Sequence, residues 1–98
     1  MSHRATGDSI SSFLAVMAAE KGASPLTLSA YGHDLEQAAE LLRARKTELI
    51  TASADDLRVV VQNWHKRALA PATQARRTSA LRQYFAYLRS EKIRDDDP

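Results

Sequence analysis

Cysteine is absent from the 98 residues, which excludes a disulfide framework, a thiolate metal site and a cysteine nucleophile. Glycine is nearly absent: Gly7, Gly22 and Gly32 are the whole supply, too few and too scattered for a phosphate-cradling loop. No apolar run reaches the roughly 18–20 residues that cross a bilayer. Met1 to Gly7 lacks the apolar stretch of a signal peptide, so a cytoplasmic protein with no membrane partner is expected. Histidine is limited to His3, His33 and His65, and no His-x-x-x-His pair sets two ligands on one helical face. His33 and Asp34 are sequence neighbours and project apart on a helix. His65 beside Trp64 reads as a surface or boundary residue, and Asp95–Asp97 as a solvated linker rather than a cation site. The residues offer no catalytic constellation, no metal site and no cofactor site.

An apolar fraction of 44% is ordinary for a globular protein, and the length suits one domain with one modest core. The net charge of +2 hides an uneven distribution. Between Lys66 and Arg94 the basic residues Lys66, Arg67, Arg76, Arg77, Arg82, Arg89, Lys92 and Arg94 face Glu91 alone. A positive segment of this kind attracts polyanions, nucleic acid foremost, although a solvated helix face carries the same composition.

Punctuation and periodicity predict four helices and no strand. Residues 1–7 read as a flexible tail. Asp8 or Ser9 caps a first helix that runs to about Lys21, with Ile10, Phe13, Leu14 and Met17 at helical spacing, and Gly22 fits a C-terminal cap of positive φ. Ser24-Pro25 starts a second helix to about Arg45, with Leu28, Tyr31, Leu35, Ala38 and Leu42 as its stripe and Leu41 beside it. Gly32 inside it suggests close approach of another helix or of a ligand, or is simply tolerated. Lys46–Ala52 is a connector. Ser53-Ala54-Asp55-Asp56 resembles a capping box ahead of a third helix to about Arg67, which buries Leu57, Val60, Val61 and Trp64. After a connector at Ala68–Ala72, a fourth helix runs from about Thr73 to Lys92, with Leu81, Phe85 and Leu88 inward and Tyr84 beside them. The fold class is all-α, a compact orthogonal bundle of four or five helices. Residues 8–94 form the helical domain and 95–98 the start of a linker.

A binding surface remains. At 100° per residue, Arg76, Ser79, Gln83 and Tyr87 fall opposite the inward stripe of the fourth helix, with Arg82 and Arg89 on one flank and Thr73 and Gln74 at its start. Such side chains reach base edges and phosphates in a major groove about 12 Å wide, and free amides at the helix start favour anions. Alternatively, Arg82 and Arg89 cover apolar flank with their methylene stems.

The stretch from Leu26 to Leu35, LTLSAYGHDL, resembles the NTL-x-AY-x-x-DL signature in the N-terminal domain of XerC/XerD-type tyrosine recombinases. Ala75 to Leu88, ARRTSALRQYFAYL, resembles the ARRLSALRSFFRYL of that family. Arg89 to Pro98 is similar to its REKFREDDP, and Ile10 to Leu14 fits its opening I-x-x-FL. The likeness covers nearly the whole chain in order. It implies a SAM-like fold of four or five helices, one jaw of a clamp on duplex DNA, with the second and fourth helices at the major groove. The matching positions are Thr27, Ser29, Tyr31 and His33, then Thr73, Gln74, Arg76, Arg77, Ser79 and Arg82. Tyr31 also falls on the apolar stripe. Gly32 and His33 depart from basic residues frequent in the family, and Thr78 stands where leucine is usual. The resemblance further implies that the parent protein breaks and rejoins DNA by attack of a tyrosine on a phosphate, with the catalytic residues in an absent C-terminal domain. Tyr31, Tyr84 and Tyr87 match binding-domain positions rather than the nucleophile. Implied partners are double-stranded DNA, the C-terminal domain of the same protein and other recombinase protomers.

Two other readings fit parts of the chain. A helix-turn-helix regulator would use Lys21-Gly22-Ala23-Ser24 as its turn and Leu26 onward as its recognition helix, although that helix is too long for the role. A helical protein-interaction module would need no nucleic acid.

Overall fold

The caps and turns written into the sequence divide the chain into four α-helices. The structure is a computed structural model and describes residues 2–98, with side chains from residue 5 onward, so the expectation for His3 lies outside the described side chains. Helix α1 spans Ser2–Lys21, α2 Pro25–Arg43, α3 Ala54–Lys66 and α4 Pro71–Ser90, and a 3-10 turn occupies Leu49–Thr51. The described residues contain no strand. Their Cα radius of gyration is 12.7 Å, that of one domain this long.

Local chemistry sets most boundaries. Gly22 ends α1 with φ +60°, a conformation that costs glycine no steric penalty. Ser24 caps α2 by accepting from the Thr27 amide at 3.1 Å, and Pro25 takes the first helical position. Ser53 and Asp56 form a reciprocal capping box: the Asp56 amide donates to Ser53 Oγ at 3.1 Å and the Ser53 amide to Asp56 Oδ2 at 2.9 Å. Pro71 opens α4 two residues before the expected start.

Helix α1 departs most from expectation. It starts at Ser2, not at a cap on Asp8 or Ser9, so residues expected in a tail are helical. Tertiary bonds hold this extra turn. Thr6 is fully buried and donates to Glu48 Oε1 at 3.0 Å. Ser9 is buried too, donating to the Thr6 carbonyl at 2.7 Å with its hydroxyl 2.6 Å from Tyr84 Oη.

The core is built from Ile10, Phe13 and Met17 of α1, Leu35, Ala38, Ala39 and Leu42 of α2, Val60 and Trp64 of α3, and Ala80, Leu81, Tyr84, Phe85 and Leu88 of α4. Leu28, Tyr31, Leu57 and Val61 are only partly buried. The connector contributes more than a connection, since Leu49 and Ala52 are fully buried. Phe13 meets Tyr84 edge-on at 5.9 Å, and Tyr84 meets Phe85 at 5.1 Å, a favoured aromatic geometry. Gly32 permits a close helix crossing: a Cβ there would stand 3.2 Å from Leu14 Cδ1.

Candidate nucleic-acid interface

Helix α4 presents two different surfaces. Its flank toward α2 is occupied by a polar seam, whereas its outer face is open.

The seam centres on Asp34, which shares the apolar side of α2 with Tyr31, Leu35 and Ala38 and has a side chain with no exposed surface. A buried carboxylate requires a counter-charge, and two arginines of α4 supply it. Arg76 binds Asp34 through Nε and Nη2, both at 2.8 Å, the two-pronged geometry that suits guanidinium and carboxylate. These bonds to Asp34 are the main cause that raises the Arg76 pKa above its ordinary value, partly opposed by desolvation. Arg77 Nε lies 3.3 Å from Asp34 Oδ1 but is not aligned as a hydrogen bond. Its guanidinium carbon sits 5.2 Å from the centre of the Trp64 ring, within cation–π range. One turn further, Gln83 Nε2 donates to Tyr31 Oη at 3.1 Å and to Ser79 Oγ at 3.0 Å.

This seam corrects the expected orientation of α4. Arg76, Ser79 and Gln83 are only partly exposed, because α2 lies along that flank, and Ser79 stands where the seam borders the open face. Arg77, carried over as a surface position, is buried at 8% exposure. Arg94 is similarly engaged. Its Nη1 donates to the carbonyls of Ala52 at 2.6 Å and Ile50 at 3.2 Å, its other nitrogens reach Asp96, and its guanidinium lies over Phe85.

The open face is a cleft of about 660 Å³ between the end of α3, the following turn and the first half of α4. His65, Gln74, Thr78, Ser79 and Arg82 line it together with Leu69 and Pro71, and no acidic residue does. Ala68, at φ +52°, reverses the chain between the helices. Gln74 Nε2 stands 3.1 Å from His65 Nδ1, so His65, which sequence left outside the site, belongs to this face. Thr78, which stands where leucine is usual in the family, donates from Oγ1 to the Gln74 carbonyl at 3.0 Å. Among the described residues, no acid lies within ion-pair distance of Lys66, Arg67 or Arg82. No side chain caps the start of α4, where Thr73 is half-buried.

The expected α2 positions are dispersed. Ser29 and His33 are exposed, Thr27 serves the local cap with its Oγ1 accepting from Ser24, and Tyr31 belongs to the seam. Three expected positions, Gln74, Ser79 and Arg82, meet in the cleft. The described residues contain no group of three potential metal ligands and no helix long and apolar enough to cross a membrane.

The family model of the phage integrase N-terminal SAM-like domain matches residues 10–92. The chain belongs to this family. It is 46% identical over 89 residues to the tyrosine recombinase XerD of Rhizobium meliloti, covering 91% of this chain and 29% of that protein. XerD of Agrobacterium fabrum is 41% identical over 94% of this chain and 28% of its own length. XerC of Erythrobacter litoralis is 46% identical over 91% of this chain and 27% of its own. The chain therefore spans less than a third of the length of these relatives. No solved structure matches it. Four helices without a described strand agree with the all-α, SAM-like domain expected from sequence.

Proposed function

We propose that this chain is the DNA-binding N-terminal domain of a site-specific tyrosine recombinase or integrase, and that it forms one jaw of a clamp on duplex DNA through the open face of α4. The cleft carries the proposal: it gathers Gln74, Ser79, Arg82, Thr78 and His65 without an acid. These side chains suit base edges and phosphates. Uncapped amides at the start of α4 favour an anion, and Thr73 stands there. Lys66 and Arg67 add positive charge beside the cleft. On α2, Ser29 and His33 are exposed for contact, while Thr27 and Tyr31 shape the helix that carries them. Arg76 and Arg77 contribute by holding α2 and α4 in register through Asp34.

In the same proposal the parent protein is a cytoplasmic DNA-breaking and rejoining enzyme. Its nucleophilic tyrosine and basic catalytic residues lie outside this chain, in a C-terminal domain that partners this one, with other protomers beside it on DNA. Tyr84 is fully buried and its pKa is pushed up to about 12, chiefly by burial, which suits packing rather than attack on a phosphate.

Titration of the chain with duplex DNA at two salt concentrations tests the proposal. Affinity should fall with log salt at a slope of about −0.9 per phosphate contact. Arg82→Ala should weaken binding and reduce that slope by about one contact. Absence of binding at low salt would refute the DNA role.

A further inference from the structure

The structure places a histidine of one helix in contact with an amide of the next inside an open cleft. From this juxtaposition we infer that His65 is a positioning residue that orients Gln74 to read adenine, an inference that rests on the DNA-binding role above.

Gln74 Nε2 lies 3.1 Å from His65 Nδ1. An amide nitrogen only donates, so this contact is a hydrogen bond in the tautomer whose Nδ1 carries the lone pair. One of the two Nε2 hydrogens of Gln74 is thereby used. The other hydrogen and Oε1 have no partner among the described residues. One donor beside one acceptor on a planar amide is the complement of the adenine major-groove edge, where N7 accepts and N6 donates. Guanine offers two acceptors, O6 and N7, so Oε1 would face one of them without a proton between. Turned over, the amide still presents one donor and one acceptor, so it again complements adenine rather than guanine, with the two groups exchanged. By engaging one Nε2 hydrogen, His65 holds the amide in place so that the second hydrogen and Oε1 stand free together to meet adenine.

The placement suits groove reading. His65 lies in the last turn of α3 and Gln74 in the first turns of α4. Arg82 lines the same cleft eight residues beyond Gln74, roughly 12 Å along the helix axis at 1.5 Å per residue. A major groove is about 12 Å wide, so one end of this face meets a base while the other meets backbone phosphate.

The experiment selects preferred sequences with the 98-residue chain from a pool of randomised duplexes, then measures binding to the selected duplex and to its guanine version at each conserved adenine. The wild-type chain should favour adenine over guanine at one position by roughly 5- to 100-fold. Gln74→Ala should abolish that ratio. His65→Ala should lower it toward one, and His65→Asn should restore it, because Asn Oδ1 supplies an acceptor near the place of Nδ1. A ratio unchanged by His65→Ala, a ratio that His65→Asn does not restore, or a preference for guanine overturns the inference. Binding without any base preference also overturns it and leaves the DNA-binding proposal standing, whereas failure to bind any duplex overturns both.

Discussion

Replacing Asp34 by Asn tests whether the three-helix junction depends on one buried negative charge. The side chain of Asp34 is fully buried, Arg76 holds it with two bonds of 2.8 Å, and Arg77 Nε stands 3.3 Å away. Neutralising the carboxylate leaves Arg77, at 8% exposure, without its counter-charge. Removing one partner of a buried ion pair costs about 3–5 kcal/mol. The Arg76 side chain is 38% exposed, so water compensates much of its loss, and the cost rests mainly on Arg77. We expect a destabilisation of about 2–4 kcal/mol, or a fall in Tm of roughly 10–25 °C for a domain of this size. Urea unfolding followed by Trp64 fluorescence is the assay. This tryptophan is the only one, is fully buried and has the Arg77 guanidinium 5.2 Å from its ring centre. Arg76→Ala should cost less, about 1–2 kcal/mol, because water can enter where its exposed side chain stood. A cost for Asp34→Asn within about 0.5 kcal/mol of zero, or below that of Arg76→Ala, would refute the reasoning.

Alkaline titration should find Tyr84 protonated at a pH where a free tyrosine ionises. Its folded pKa is raised from 10.0 to about 12, mainly by burial. The stability linked to this group is therefore full below pH 10 and is lost as the pH rises through 12. Unfolding free energies across that window should fall by about 2–3 kcal/mol from this group, and a flat profile contradicts the assignment. Gly32→Ala should stabilise the fold by up to about 1 kcal/mol, because the new Cβ meets only the flexible end of Leu14 at 3.2 Å. A large loss in thermal denaturation would show that α1 cannot yield there. Arg94→Ala removes two donations to the Ile50 and Ala52 carbonyls and the contact over Phe85. It should cost about 1–3 kcal/mol, and hydrogen exchange should accelerate at the Leu49–Thr51 turn. Unchanged exchange there would separate Arg94 from that turn.

The parts of the fold legible in the sequence are those decided by neighbours in the chain. Ser24-Pro25 and Ser53 with Asp56 bring their own hydrogen bonds, so they mark helix starts wherever the helix goes. Gly22 states its φ. The first turns of α1 escaped notice because Thr6 and Ser9 are held by Glu48 and Tyr84, partners far away in sequence. Leu49 and Ala52 sit in a stretch without periodicity, so nothing local marks them as core. The α2–α4 seam did leave a trace. Asp34 lies on the stripe of Tyr31, Leu35 and Ala38, and Arg77 on that of Leu81, Tyr84 and Leu88. A charge on an apolar stripe implies a buried partner, but a helical wheel gives an angle and not a neighbour. The same limit hid the bonds of Ser79 and Gln83 to Tyr31 and left His65 out of the cleft beside the turn at Ala68.

The basic segment consequently divides by task. Of its eight cations, Arg76 and Arg77 answer Asp34, and Arg94 is committed to Ile50, Ala52, Phe85 and Asp96. Lys66, Arg67, Arg82, Arg89 and Lys92 have no acid within ion-pair distance among the described residues. Lys66 and Arg67 lie at the end of α3 that borders the cleft, and Arg82 is in it. Arg89 and Lys92 stand two turns or more beyond, at the far end of α4. The long-range attraction suggested by composition is thus weaker than eight charges imply, but more directional. A salt-dependence slope near that of three phosphate contacts, about −2.7, fits the cleft-side cations alone. A slope near eight contacts would require Arg76, Arg77 and Arg94 to leave their partners, or cations outside this segment to reach phosphates as well.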